Sequence, residues 1–132
     1  MPTEDPALAA LLTMTRIDQV LRRGDPDAPC VTFEGRHWSY REFDALVRAA
    51  ALALAAAGVQ AGDRLALLST PRPEYLLLMM AASRVGAVYV GLNPRHTAAE
   101  VAQALQRVQP RLLLTLRTFE GQDFLTLLAH AG

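Results

Sequence analysis

Apolar and polar positions along the chain form two kinds of pattern in turn. One is the spacing typical of helices and the other is the continuous apolar run typical of buried strands. The longest helical pattern has apolar residues three and four positions apart, at Phe43, Leu46, Val47, Ala50 and Leu54. Three continuous apolar runs follow at residues 64–69, 88–92 and 112–116, with helical patterns between them. Such unbroken runs are typical of parallel strands that are covered on both faces.

The order strand, helix, strand, helix, strand predicts βαβ units with right-handed crossovers and a parallel sheet. The fold class is therefore α/β, with a partial parallel sheet, flanking helices and a β-hairpin nearer the N-terminus. The hairpin is predicted at residues 30–33 and 36–38, around Glu34 and Gly35. Three parallel strands make a thin sheet, so we expect other polypeptide or a second copy to cover its edges.

Local capping signals mark the ends of the predicted helices. Ser39 and Glu42 form a capping box, and so do Thr97 and Glu100. A further helix is predicted between Thr15 and Arg23, with Thr15 as its N-cap. Three of the predicted helices are expected to end at a glycine, namely Gly24, Gly58 and Gly86.

Composition narrows the classes of function. Thirteen basic residues balance thirteen acidic ones, which argues against a nucleic-acid or anionic-membrane surface. All thirteen basic residues are arginine, so chemistry that needs a lysine is excluded within this chain. The apolar stretch at residues 75–92 carries Arg84 near its middle and is predicted to be a buried helix and strand, with no membrane span. One cysteine, Cys30, cannot form an internal disulfide, and a cytoplasmic location is expected.

Side chains capable of catalysis have structural explanations in this sequence. The three histidines are far apart and lack metal-ligand spacing, so no metal site is predicted. Cys30 is interpreted as a structural thiol, and Ser39 and Thr97 as helix caps. No catalytic residue is therefore assigned. Ligands of open α/β sheets lie at the carboxyl ends of strands, which directs attention to residues 69–73, 91–96 and 117–122.

Several stretches, in order and spacing, resemble the start of the adenylate-forming enzymes, the superfamily of acyl-CoA synthetases, luciferases and peptide-synthetase adenylation domains. They are Pro-Asp-Ala-Pro at residues 26–29, Trp-Ser-Tyr-Arg-Glu-Phe at 38–43, Gly-Val-Gln-Ala-Gly-Asp-Arg-Leu-Ala at 58–66, Pro-Glu-Tyr at 73–75, the Ala-rich segment at 81–90, and Leu-Asn-Pro-Arg-His-Thr at 92–97. The last of these looks like the acyl-CoA synthetase branch. The resemblance implies the N-terminal subdomain of that fold.

Family membership would imply an acid–thiol ligase, which converts a carboxylic acid, ATP and coenzyme A into acyl-CoA, AMP and pyrophosphate. A long-chain fatty acid CoA ligase of fatty acid metabolism is the expected parent, with ATP, magnesium and coenzyme A as its cofactors. The resemblance places Gly91 and Asn93 near the coenzyme A path. The family's phosphate loop and catalytic lysine have no counterpart here, so this chain alone is expected to bind no cofactor and to be inactive.

Residues 1–132 are accordingly predicted to be a single domain, an N-terminal fragment of a larger ligase. The expected partners are the remainder of that ligase and a second copy bound through uncovered apolar surface. Two alternatives stay open at this point. One is a stand-alone α/β binding or interaction module without catalysis, and the other is the start of a peptide-synthetase adenylation domain.

Overall fold

Two hydrophobic clusters lie on opposite faces of a three-stranded parallel sheet and organise the chain. The structure, a computed structural model, describes residues 5–131. Its helices are α1 (Pro6–Leu12), a 3-10 helix (Ile17–Arg22), α2 (Tyr40–Ala56), α3 (Pro73–Val85), α4 (Ala98–Val108) and α5 (Phe124–Ala131). Its strands are β1 (Pro29–Phe33), β2 (Arg36–Ser39), β3 (Arg64–Leu68), β4 (Val88–Leu92), β5 (Leu112–Thr115), β6 (Thr118–Phe119) and β7 (Gln122–Asp123).

The predicted α/β fold with a partial parallel sheet is confirmed. The strand order is β4-β3-β5, and both β4 and β5 pair with β3 in parallel. Strand β3 is buried almost throughout because it lies in the centre, with Leu65 facing one helical layer and Leu68 the other. Helices α2 and α3 cover the first face, and α4 and α5 cover the second.

The antiparallel hairpin β1–β2 is also confirmed. Glu34 and Gly35 form its turn, and both have positive φ, at 48° and 77°. This is the geometry of the tight turns whose twist matches that of the flanking strands. Position 35 therefore needs glycine for its backbone conformation, whereas a β-carbon there would meet no other atom.

Both predicted capping boxes are confirmed. The Glu42 amide donates to Ser39 Oγ at 3.2 Å, and the Ser39 amide donates to Glu42 Oε2 at 2.8 Å. Thr97 and Glu100 repeat the arrangement at the start of α4. Helix α3 ends at Gly86, whose φ of 78° is left-handed as expected.

Two details of the helix predictions are wrong. Residues 17–22 form a 3-10 helix that Thr15 does not cap, because Gln19 Oε1 instead accepts from the amides of Thr15 and Arg16. In α2, Leu46 is 41% exposed, since the buried stripe runs through the neighbouring positions Phe43, Val47, Ala51 and Leu54. Helix α2 has two adjacent apolar stripes, and its packing against α3 buries this one.

Candidate functional site

The two βαβ crossovers diverge at the carboxyl end of the sheet. Helix α3 follows β3 and lies on one face, whereas α4 follows β4 and lies on the other. The loops after these adjacent strands therefore separate and leave a crevice between them, the usual ligand position in open α/β sheets. An open cleft of about 380 Å³ lies there, with the loop after β3 on one side and the loop after β4 on the other.

The predicted loops 69–73 and 91–96 thus meet at one cleft. Gly91 and Asn93 both line it and are exposed. Buried Ser69 and half-buried Thr70 and Tyr75 line it from the opposite side. The Tyr75 hydroxyl occupies the space in which a β-carbon at position 91 would lie. Glycine at this position therefore admits the tyrosine to the cleft wall.

Behind Tyr75 lies a second tyrosine. The rings of Tyr75 and Tyr89 pack edge to face with centroids 5.4 Å apart. Burial, and secondarily the neighbouring Tyr75, raise the pKa of the Tyr89 phenol above its usual range. Tyr89 is therefore neutral at physiological pH.

The third predicted loop, at residues 117–122, joins the same region through an ion pair. Arg95 Nη2 donates to Glu120 Oε1 at 2.6 Å, and the Arg95 guanidinium lies 5.3 Å from the centre of the Phe119 ring. Residues 118–123 form a small hairpin that the sequence interpretation missed. Its signal was present, because Glu120-Gly121 repeats the turn pair Glu34-Gly35 with the same positive φ values.

Two polar side chains at the cleft form local hydrogen bonds. Ser69 Oγ donates to the carbonyl of Thr70 at 3.0 Å, and Asn93 Oδ1 accepts from the Arg95 amide at 2.9 Å. The loop after β3 contains no glycine, and the chain contains no lysine. These residues do not build a cradle for the phosphates of ATP, which needs closely approaching backbone amides.

The other candidate side chains have structural surroundings. His37 Nδ1 lies 2.8 Å from Thr32 Oγ1 and His130 Nδ1 lies 2.7 Å from the Thr126 carbonyl, both on exposed elements. Burial raises the pKa of the Cys30 thiol, which disfavours the reactive thiolate. No group of three or more potential metal ligands occurs among residues 5–131.

A charged cluster that sequence reasoning missed lies near the other end of α3. Arg84 donates from Nε to Asp18 Oδ2 at 3.0 Å and from Nη2 to Asp44 Oδ1 at 2.6 Å. Asp18 is fully buried, and Arg16 also bonds it at 3.0 Å. Burial alone would raise the pKa of Asp18, but its bonds with Arg16 and Arg84 outweigh burial and lower it. The cluster ties the 3-10 helix to α2 and α3.

The sheet, with helices on both faces and a cleft at its carboxyl end, is a doubly wound α/β architecture. Comparison with known proteins identifies the family. The chain belongs to the AMP-binding enzyme family, which matches residues 18–131.

Within the described residues, no helix has both the length and the apolar character needed to span a membrane.

Relatives from two branches of that family resemble the chain. The acyl-CoA ligase sidI of Aspergillus fumigatus is 34% identical over 128 residues, which cover 97% of this chain and 21% of that protein. The hybrid PKS-NRPS synthetase mycA of Thermothelomyces thermophilus is 35% identical over 102 residues, 76% of this chain and 2% of that protein. The chain therefore spans about a fifth or less of these relatives.

A solved structure agrees in fold. The N-terminal domain of FACL13 from Mycobacterium tuberculosis superimposes with a TM-score of 0.73 at 29% sequence identity, covering 77% of this chain and 27% of that one. The partial sheet with its hairpin and flanking helices is thus the arrangement found in an adenylate-forming N-terminal domain.

Proposed function

We propose that this chain is the N-terminal scaffold of an ATP-dependent acyl-CoA synthetase. The parent enzyme would convert a carboxylic acid, ATP and coenzyme A into acyl-CoA, AMP and pyrophosphate, with a long-chain fatty acid as the acid. The observation that carries the proposal is family membership combined with a doubly wound sheet whose carboxyl-end cleft is open. The 97% coverage of the chain by an acyl-CoA ligase supports this branch.

Within that enzyme, the cleft would border the path of coenzyme A. Gly91 and Asn93 support this role because both are exposed and line the cleft. A side chain at position 91 would compete with Tyr75 for the cleft wall. The phosphates of ATP and the magnesium ion do not fit the groups at this cleft, so we assign both to polypeptide outside this chain. The chain alone is accordingly proposed to be inactive.

Exposed apolar side chains support a scaffold over a stand-alone module. Leu52 on α2 is 67% exposed, Val88 on β4 is 52% exposed and Leu125 on α5 is 51% exposed. Among residues 5–131, strands β4 and β5 each pair with β3 alone and are the edges of this sheet. We propose that the remainder of the parent ligase covers such surface, and that in its absence a second copy does. We also propose that the parent enzyme is located in the cytoplasm.

A pair of chimeras tests the proposal. This chain replaces the corresponding segment of a fatty acyl-CoA synthetase in one chimera and of a peptide-synthetase adenylation domain in the other. We expect fatty-acid-dependent acyl-CoA formation by the first chimera and no acid-dependent exchange of pyrophosphate into ATP by the second. Activity of the second chimera alone would reassign the chain to the peptide-synthetase branch. Pyrophosphate exchange by the isolated chain would contradict the scaffold role.

A further inference from the structure

A second cleft lies between the 3-10 helix and α2, away from the cleft at Gly91. It has a volume of about 470 Å³, within the range of small-ligand sites. Three of its lining residues are arginines, Arg22, Arg41 and Arg48, and Asp44 is its one acidic lining residue. Arg84, which bonds Asp44, and Tyr75 at the first cleft are nine positions apart on α3, a rise of about 13 Å. The two clefts are therefore separate.

Asp44 cannot satisfy the arginines around it. Its carboxylate already accepts a 2.6 Å bond from Arg84. Arg22 and Arg48 approach the same carboxylate only to 3.6 and 4.0 Å, which is longer than a hydrogen bond. Three guanidinium groups thus share one carboxylate, and the donors of Arg22 and Arg48 keep free capacity.

The third arginine of the cleft is neutralised locally. Arg41 forms a two-point pair with Asp27, at 3.0 and 3.3 Å, and Asp25 lies near enough to raise its pKa further. Arg22 and Arg48 are therefore the cleft arginines whose donors are least occupied. Their side chains are 54% and 69% exposed, so an anion can reach them from solvent.

We propose that this cleft binds the phosphate group of a small phosphorylated molecule between Arg22 and Arg48. A phosphate monoester carries close to two negative charges at neutral pH, which matches two guanidinium groups that lack a full partner. The planar fork of each guanidinium donates two parallel hydrogen bonds to phosphate oxygens. Nothing in this site depends on the parent enzyme's activity.

Phenyl phosphate, a phosphate monoester, is the probe, and binding is measured by isothermal titration calorimetry on the 132-residue chain at low ionic strength. We expect saturable binding with one site per chain. Arg22→Gln and Arg48→Gln should each weaken it about tenfold, as expected for the loss of one charge-assisted contact. Arg107→Gln is the matched control, because Arg107 is exposed on α4 at the opposite face of the sheet. Far-ultraviolet circular dichroism checks that each variant is folded.

Each result decides the proposal. Binding that is saturable, lost in the two cleft variants and kept in Arg107→Gln supports it. Absence of saturable binding, or equal weakening in all three variants, overturns it. Glutarate, a dianion without phosphate, binding as tightly as phenyl phosphate overturns the choice of phosphate as the ligand. A sodium chloride titration at equal ionic strength is the last control. If it produces the same heat, the signal comes from charge screening alone, and this result also overturns the site.

Discussion

The Tyr75 hydroxyl fills the position that a β-carbon at residue 91 would occupy. Its Cζ atom lies 3.2 Å from that position and Cε2 lies 3.5 Å from it, so the phenol oxygen is the atom that an added β-carbon would displace. Position 91 does not have a left-handed backbone, and the requirement for glycine is therefore one of space. This contact packs Tyr75 of α3 against Gly91 of β4 across the cleft.

Substitution of Gly91 by alanine should lower the free energy of unfolding by about 1–3 kcal/mol, because an added methyl group overpacks a filled site. Tyr75→Phe removes the clashing oxygen, and we expect the double variant to recover about 1 kcal/mol through coupling. Urea unfolding of the four proteins in this cycle measures the effect. Additive costs of the two substitutions would contradict the contact.

The buried ion cluster predicts a dependence of stability on pH. The folded-state pKa of Asp18 lies below its usual value of 3.8 because of Arg16 and Arg84, so folding favours its ionised form. The stabilisation is fully present above pH values near 3.8 and is lost as the pH falls through the folded pKa. Asp18→Asn should flatten the loss of stability in acid, measured by urea unfolding at neutral and acidic pH. An unchanged acid dependence in this variant would contradict the assignment to Asp18.

Removal of Arg84 should be costly at every pH near neutral. Arg84→Met leaves Asp18 fully buried with Arg16 as its only remaining charged partner among residues 5–131. We expect a loss of about 3 kcal/mol, at the low end for a broken buried pair because Arg16 still compensates. The matched control is Arg41→Met, which breaks an exposed pair with Asp27 and should change stability little. Equal losses in both variants would show that burial does not matter here.

Local signals account for the parts of the fold that the sequence predicts. A capping box needs residues three positions apart, and a helix-ending glycine needs only its own backbone, so Ser39, Thr97 and Gly86 could be interpreted without knowledge of packing. The sheet also follows from a one-dimensional pattern, because its three strands are continuous apolar runs with helices between them.

Tertiary contacts explain what the sequence does not predict. Asp18 and Arg84 are 66 positions apart, and no spacing rule joins them. Asp18 lies within the helix predicted between Thr15 and Arg23, and nothing in that prediction indicates that its buried carboxylate accepts from both Arg16 and Arg84. At the candidate cleft, the three loops were predicted from strand ends, but the contact of Tyr75 with Gly91 depends on how α3 lies against β4. The cleft's ligand remains a proposal.

The Ser39 cap offers a test of local stabilisation. Ser39→Ala removes the acceptor for the Glu42 amide at the start of α2 and should cost about 1 kcal/mol of unfolding free energy. Ser39→Asp is the matched variant, because a carboxylate also accepts from that amide and suits the N-terminus of a helix. Urea unfolding compares the two. Equal destabilisation by alanine and aspartate would show that the hydroxyl contributes by some other contact.

Uncovered surface at the edge of the sheet predicts self-association of the isolated chain. Val88 begins edge strand β4 with 52% of its surface exposed, and an unpaired edge is a template for another strand. We expect light scattering coupled to size exclusion to show a mass that rises with concentration. Val88→Lys places a charge on the edge and should shift the chain toward monomer without lowering its stability in urea. Leu125→Lys, on α5 over a different surface, is the control and should shift it less. A wild-type chain that stays monomeric at high micromolar concentration would contradict association through this edge, because the unpaired strand would then not recruit a second copy.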